Sequence, residues 1–206
     1  MPANKTIAPL VGGKYYHIFN RGINRNIIFF IPKNYDYFLS LCKRYLDDCV
    51  EVLAYSLLPN HFHFLIKIFE EIEIQDKNGQ TQLIKDEAEI GSIVSERLRR
   101  LFISYSQAIN KQENRTGSLL TRNFKRIEIE KDSHLEYLFF YIHYNPQKHS
   151  YIENFKKYKY SSYKAYILNK PTYVSKHLGL ELFDGIEGFL HFHNFLHDEK
   201  DNLTLE

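Results

Sequence analysis

His61-Phe62-His63 places two imidazoles one residue apart within Leu58-Pro59-Asn60-His61-Phe62-His63-Phe64-Leu65-Ile66, a run that reads as a β-strand. Successive strand side chains point to opposite faces, so His61 and His63 share one face while Phe62 and Phe64 point into a core. Paired imidazoles on a stiff strand supply two of the three or four protein ligands that a divalent metal takes. The same alternation arises by chance in a chain with ten histidines. A second copy, His191-Phe192-His193, lies where Phe189, Phe192, Phe195 and Leu196 follow helical spacing. Residues two apart on a helix do not share a face, so that pair reads as surface and packing histidines.

The other half of such a site is sought on the stretch Tyr137-Leu138-Phe139-Phe140-Tyr141-Ile142-His143-Tyr144-Asn145-Pro146, which reads as a helix. Tyr141 and Asn145 are four apart and share a face. Pro146 is expected to stop or kink the helix, because it lacks an amide hydrogen and disfavours helical geometry at Asn145. A phenol beside an amide oxygen would complete the constellation. Asn145 would be an oxygen ligand, and Tyr141 a nucleophile aimed at a metal-polarised phosphate. Tyr137 and Tyr144, four and three residues away, have similar claims, and in a chain with 16 tyrosines any one is more often packing than chemistry.

The elements that must hold these residues follow from periodicity. Lys14 to Arg21 reads as a first strand ending in the turn Asn20-Arg21-Gly22. Tyr35 to Leu46 has the three-and-four apolar spacing of an amphipathic helix. Val50 to Leu58 and His61 to Phe69 read as an antiparallel hairpin about Pro59-Asn60. Glu71 to Lys85 carries Asn78-Gly79 between short alternating runs, a second hairpin signal. A long helix spans Glu89 to Lys111, a loop Asn114 to Gly117 and a fourth strand Phe124 to Glu130. The next helix opens at Asp132-Ser133. The order β-α-β-β-α-β predicts an α+β, ferredoxin-like (RRM-like) sandwich, with an antiparallel sheet and helices on one face. The other face is expected to be free as a binding surface. The expected division is an N-terminal extension over 1–13, a catalytic domain over 14–150 with a hairpin insertion at about 71–85, and a helical C-terminal tail over 151–206 packing on it.

Charge distribution says more than the net charge of +2. From Arg97 to Arg126 eight basic residues (Arg97, Arg99, Arg100, Lys111, Arg115, Arg122, Lys125, Arg126) face one acid, Glu113. From Glu70 to Glu89 seven acids face Lys77 and Lys85. A basic middle favours a nucleic-acid partner without deciding it, since basic clusters are usually solvated faces. No apolar run approaches the roughly 20 residues needed to span a bilayer. Met1 to Pro9 carries no secretory pattern. Cys42 and Cys49 form no disulfide framework or metal motif, as expected of reduced thiols in a cytoplasmic protein.

Five motifs occur in order: Tyr16-His17-Ile18-Phe19-Asn20-Arg21-Gly22, Leu58 to Leu65, Arg115-Thr116-Gly117-Ser118-Leu119-Leu120, Tyr141-Ile142-His143-Tyr144-Asn145-Pro146, and Tyr160-Ser161-Ser162-Tyr163. Together, from about Lys14 to Tyr166, they resemble the single-tyrosine HUH transposases, specifically the insertion-sequence-200-like and REP-associated tyrosine transposases. The resemblance implies metal-dependent cleavage and joining of single-stranded DNA beside a hairpin, with His61, His63 and Asn145 as ligands of Mg²⁺ or Mn²⁺. Tyr141 would be the nucleophile, forming a 5′-phosphotyrosine. DNA contacts are expected from Arg21, Arg97, Arg100, Arg115, Arg122, Lys125, Arg126 and Lys148. The implied state is a monomer or homodimer without a membrane. The acidic hairpin at 71–85 is longer than the compact family core requires, and the tail beyond Tyr160 is longer than in minimal insertion-sequence enzymes and resembles the REP-associated or domesticated branch.

Two other classes compete. A catalytically idle nucleic-acid-binding regulator needs the basic surface and the sheet but no metal site. A water-using metal hydrolase needs a general base or a further carboxylate near the metal, and no motif supplies one.

Overall fold

The computed structural model describes residues 7–75, 79–168 and 172–203, with side chains as far as 199. Asn78 of the expected Asn-Gly turn and the first six residues of the N-terminal extension lie outside the described residues.

Strand alternation builds the sheet. In β1 (Tyr15–Arg21) Tyr16 and Ile18 are buried on one side, while His17 and Phe19 face the other. β2 (Val50–Leu58) and β3 (His61–Ile68) form the expected hairpin, and β6 (Lys125–Ile129) closes the order β2-β3-β1-β6 with every pair antiparallel. This is the α+β sandwich expected from the element order. Between β3 and β6 stand β4 (Ile72–Gln75) and β5 (Thr81–Ile84), a separate two-stranded sheet.

α1 (Pro32–Leu46) and α2 (Glu87–Gln112) cover the face carrying Phe62 and Phe64. Phe38 of α1 lies 5.0 Å from the Phe62 ring, and Phe102 of α2 lies 5.3 Å from it. Phe62 and Phe38 are fully buried. Each such ring contributes about 1.5–3 kcal/mol by leaving water. α1 begins three residues earlier than its apolar spacing suggests. Pro32 suits the first turn, and Asn34 Oδ1 accepts the Phe30 and Ile31 amides. Asp86 caps α2 by accepting from the Glu89 amide at 2.8 Å.

The opposite face is not open. α3 (Asp132–Lys148) lies across it, packing on β2, β3 and β6. Leu135, Leu138, Phe139 and Ile142 must be buried, and a helix apolar on most sides needs cover on most sides. Pro146 does not end α3 at Asn145. The helix continues to Lys148, and the His149 amide still reaches the Asn145 carbonyl at 3.1 Å. Pro146 falls in the last turn, where one missing hydrogen bond costs little, and both Asn145 and Pro146 are held by burial.

Residues 160–162 extend the sheet beyond β2. The Leu57 amide donates to the Tyr160 carbonyl and the Ser162 amide to the Tyr55 carbonyl, so β2 is not a bare edge. α4 (Tyr163–Ile167), α5 (Lys176–Glu181) and α6 (Ile186–Leu203) follow, and α6 packs against α3. No helix among the described residues is long and apolar enough to cross a membrane.

Candidate active site

The turn before β3 is held from outside the hairpin. The Gly22 amide donates to the Asn60 carbonyl, and the Ile28 and Phe29 amides donate to the Pro59 carbonyl. At Gly22 a Cβ would lie 2.0 Å from the Asn26 carbonyl oxygen, so this loop closes only around glycine. His61 and His63 emerge from the fixed turn on the face beneath α3, with their rings edge to face at 5.2 Å. The Tyr141 ring stands 5.9 Å from His63 and 6.3 Å from His17. Tyr144 turns away, stacking on Phe140 at 5.2 Å, and Tyr137 is exposed. Of the three tyrosines on α3 that the sequence leaves open, Tyr141 is the one set against the histidines.

Hydrogen-bond partners define which nitrogens are bare. Asn60 Nδ2 donates to the Arg25 carbonyl, which turns its Oδ1 toward His61 Nδ1 at 2.6 Å. Oδ1 can only accept, so Nδ1 carries the ring hydrogen and Nε2 keeps a lone pair. That lone pair faces Asn145 Oδ1, another acceptor, at 3.2 Å. Asn145 is fully buried, and its Nδ2 has no partner among the described residues. Turning the amide over would let Nδ2 donate to His61 Nε2 but would orphan the buried Oδ1 instead. Two acceptors facing each other in a buried place repel unless a cation stands between them. Cis ligands of an octahedral ion held at about 2.0–2.1 Å are about 3 Å apart, so the pair fits such an ion.

Burial keeps the imidazoles uncharged. It pushes His61 down to about 4, with the neighbouring His149 and Arg21 adding to the effect against the Asn145 contact. Burial, then the nearby His17 and His61, hold His63 well below the usual histidine range. Neutral imidazoles are the coordinating form. Among the described residues no three His, Cys, Asp or Glu side chains converge on one point. A cation here would therefore lean on the Asn145 amide oxygen and on oxygens brought by a substrate.

No protein-family model matches the chain. A Haemophilus influenzae protein named as a REP-associated tyrosine transposase is 28% identical over 132 residues, 62% of this chain and 69% of that protein. A solved REP-associated tyrosine transposase, bound in that structure to a REP hairpin, superposes with a TM-score of 0.54 over 80% of this chain and 87% of its own, at 14% identity. The chain resembles the REP-associated tyrosine transposases in sequence, and shares its fold with one of them.

The basic residues expected to meet DNA divide by face. Arg21 pairs with His61 across the β1–β3 ladder, and Lys125 pairs with Phe19, which pairs in turn with His63. Arg21, Phe19 and Lys125 therefore share the histidine face. Lys148 Nζ sits 4.7 Å from the centre of the Tyr141 ring. Arg122 is exposed just before β6, and Arg115 lies in the loop after α2. Three of the expected contacts are directed elsewhere. Arg97 is bound to Asp48, and Arg100 is paired with Glu96 on α2, behind the sheet. Arg126 pairs with Ile18, on the face covered by α1 and α2, and its Nε donates to the Ala8 carbonyl.

The spacing reading assigns no role to two histidines beside the pair. His17 Nε2 is 2.8 Å from His63 Nδ1, and the His149 ring is 4.9 Å from His61. His17 stands in a quoted motif, but only the β1–β3 register reveals its neighbour. The second alternating pair divides as its helical spacing requires: His191 is exposed and His193 is fully buried. His193 is more than packing, however. Its Nδ1 donates to the Phe189 carbonyl, so its Nε2 accepts from His143 Nδ1 at 3.0 Å. His143 Nε2 then accepts from Ser162 Oγ, which itself accepts from the Tyr55 amide. Every group in this line is satisfied, and it ties α6, α3 and β2 together behind Tyr141.

Proposed function

We propose that this protein is a DNA transposase-type enzyme. It cleaves and rejoins single-stranded DNA beside a hairpin through a 5′-phosphotyrosine at Tyr141, with Mg²⁺ or Mn²⁺ held by His61, His63 and Asn145. The observation that carries this reading is Tyr141 set against His63, while the bare His61 Nε2 and Asn145 Oδ1 face one another at 3.2 Å. The cation would polarise the scissile phosphate and ease charge on its oxygens. Tyr141 Oη forms the bond to phosphorus, its proton passing to solvent. The bond from phosphorus to the 3′ oxygen breaks, and that oxygen leaves as a hydroxyl after taking up a proton. The phosphodiester energy is kept in the tyrosine ester, so a 3′-hydroxyl can reverse the step and join new ends. Lys148 places positive charge beside the ring on which negative charge gathers. Arg21 and Lys125 extend the same face toward DNA phosphates.

Both halves of this site come from one chain, on β3 and α3, which supports a monomer acting in cis. A water-using hydrolase would need a general base or a further carboxylate at the cation, and among the described residues no group of three His, Cys, Asp or Glu side chains is arranged to hold a metal ion. The test is metal-dependent adduct formation. Single-stranded hairpin DNA should form a denaturant-resistant protein–DNA band with Mg²⁺ or Mn²⁺, and none with EDTA. Asn145→Leu should lower the yield by at least tenfold, about the effect of weakening a metal site. Equal adduct in EDTA would contradict the metal assignment.

A further inference from the structure

His17 is nearly buried and takes no part in the chemistry above. Its Nε2 lies 2.8 Å from His63 Nδ1, and the two rings are inclined by 24°. One hydrogen bridges these nitrogens, and its owner fixes the state of His63. If His17 donates, His63 must carry its hydrogen on Nε2, which meets no acceptor among the described residues. If His63 donates, its Nε2 is bare, as His61 Nε2 is bare. Each arrangement leaves one ring hydrogen without a protein partner among the described residues, on His63 Nε2 in the first and on His17 Nδ1 in the second, and only the second leaves the His63 Nε2 lone pair free. It also gives both histidines the same design: Nδ1–H engaged by a neighbour's acceptor, Asn60 Oδ1 for His61 and His17 Nε2 for His63.

We infer that His17 is a positioning residue, accepting the His63 Nδ1 hydrogen and so holding the His63 Nε2 lone pair available to the cation shared with His61 and Asn145. This inference rests on the metal reading of the site. Partners of this kind set the tautomer and ring orientation of metal-binding histidines. The ring also stacks on Phe19 at 4.6 Å, so a packing role must be separated from an accepting one.

His17→Phe keeps an aromatic ring and removes the acceptor, whereas His17→Gln keeps an acceptor and removes the ring. Two readouts are needed: the tautomer of His63 from nitrogen-15 imidazole spectra of the metal-free protein, and Mn²⁺ affinity followed by electron paramagnetic resonance. Wild type should show His63 protonated on Nδ1. His17→Phe should lose that form and bind Mn²⁺ about 10–100-fold more weakly, with His17→Gln restoring much of the affinity. A wild-type His63 protonated on Nε2 overturns the inference without any variant, even if His17→Phe does not fold. A folded His17→Phe that binds Mn²⁺ like wild type overturns it while leaving the metal reading intact. Wild-type protein that binds no Mn²⁺ overturns the metal reading, and the role of His17 as a ligand orienter falls with it.

Discussion

Acid should unfold this protein earlier than its carboxylates alone would require. His17, His63, His143 and His193 are buried as neutral imidazoles in two contacting pairs. Burial pushes His17 and His193 down to about 3, and holds His63 and His143 well below the usual range. In the unfolded chain each returns to about 6.5. Below that pH the unfolded chain takes up protons that the folded chain refuses. Stability is therefore complete above about pH 6.5 and is lost as pH falls toward the folded values. At pH 5.5 each histidine kept neutral costs about 1.4 kcal/mol. One proton per pair, or two, gives a loss of about 3 to 6 kcal/mol, against a typical total of about 5–15 kcal/mol. The assay is urea unfolding in EDTA at pH 7.5 and 5.5, where most carboxylates remain ionised. A difference below about 1 kcal/mol between the two pH values would refute the assignment of these four as buried, neutral groups.

Gly22→Ala should destabilise the fold by about 1–3 kcal/mol through overpacking against the Asn26 carbonyl, read as a lower urea midpoint, and should reduce adduct yield because the Pro59-Asn60 turn shifts. Binding of single-stranded hairpin DNA should weaken steeply with salt, with the logarithmic slope shallower by about 0.7 in Lys125→Ala. Arg97→Gln should leave that slope unchanged, since Asp48 already holds Arg97 behind the sheet. Fluorescence anisotropy from low to moderate salt checks both, and an affinity independent of salt would remove DNA phosphates from the account.

What the sequence reveals of this molecule is what is local. The alternation in His61–Ile68 sets the two histidines on one face, and the spacing of Tyr141 and Asn145 joins them on one side of α3. What needs register across the sheet is hidden. His17 and His63 are 46 residues apart, and their contact follows from an antiparallel ladder that no local pattern encodes. Lys125 and Arg126 look equivalent as letters, yet pairing with Phe19 or Ile18 sends them to opposite faces. The basic run from Arg97 looks unopposed because Glu96, one residue before it, and Asp48, on another element, are the acids that neutralise it. Pro146 misleads for a different reason: a proline rule ends helices on average, but burial of Asn145 carries α3 one turn further. The alternating histidines at 191–193 could be set aside as metal ligands from their spacing. Their place in a buried hydrogen-bonded line could not be foreseen, because His143 and Ser162 lie far away in sequence.

The most direct measurement is to locate the covalent bond. Wild-type protein incubated with single-stranded hairpin DNA and Mn²⁺ should yield, after proteolysis and mass spectrometry, one nucleotide-linked peptide with phosphate on Tyr141. Tyr141→Phe should form no adduct while binding the same DNA, and Tyr144→Phe should form it normally. Adduct of wild-type yield in Tyr141→Phe, or phosphate mapped to another side chain, would contradict the central claim that Tyr141 is the nucleophile of this site.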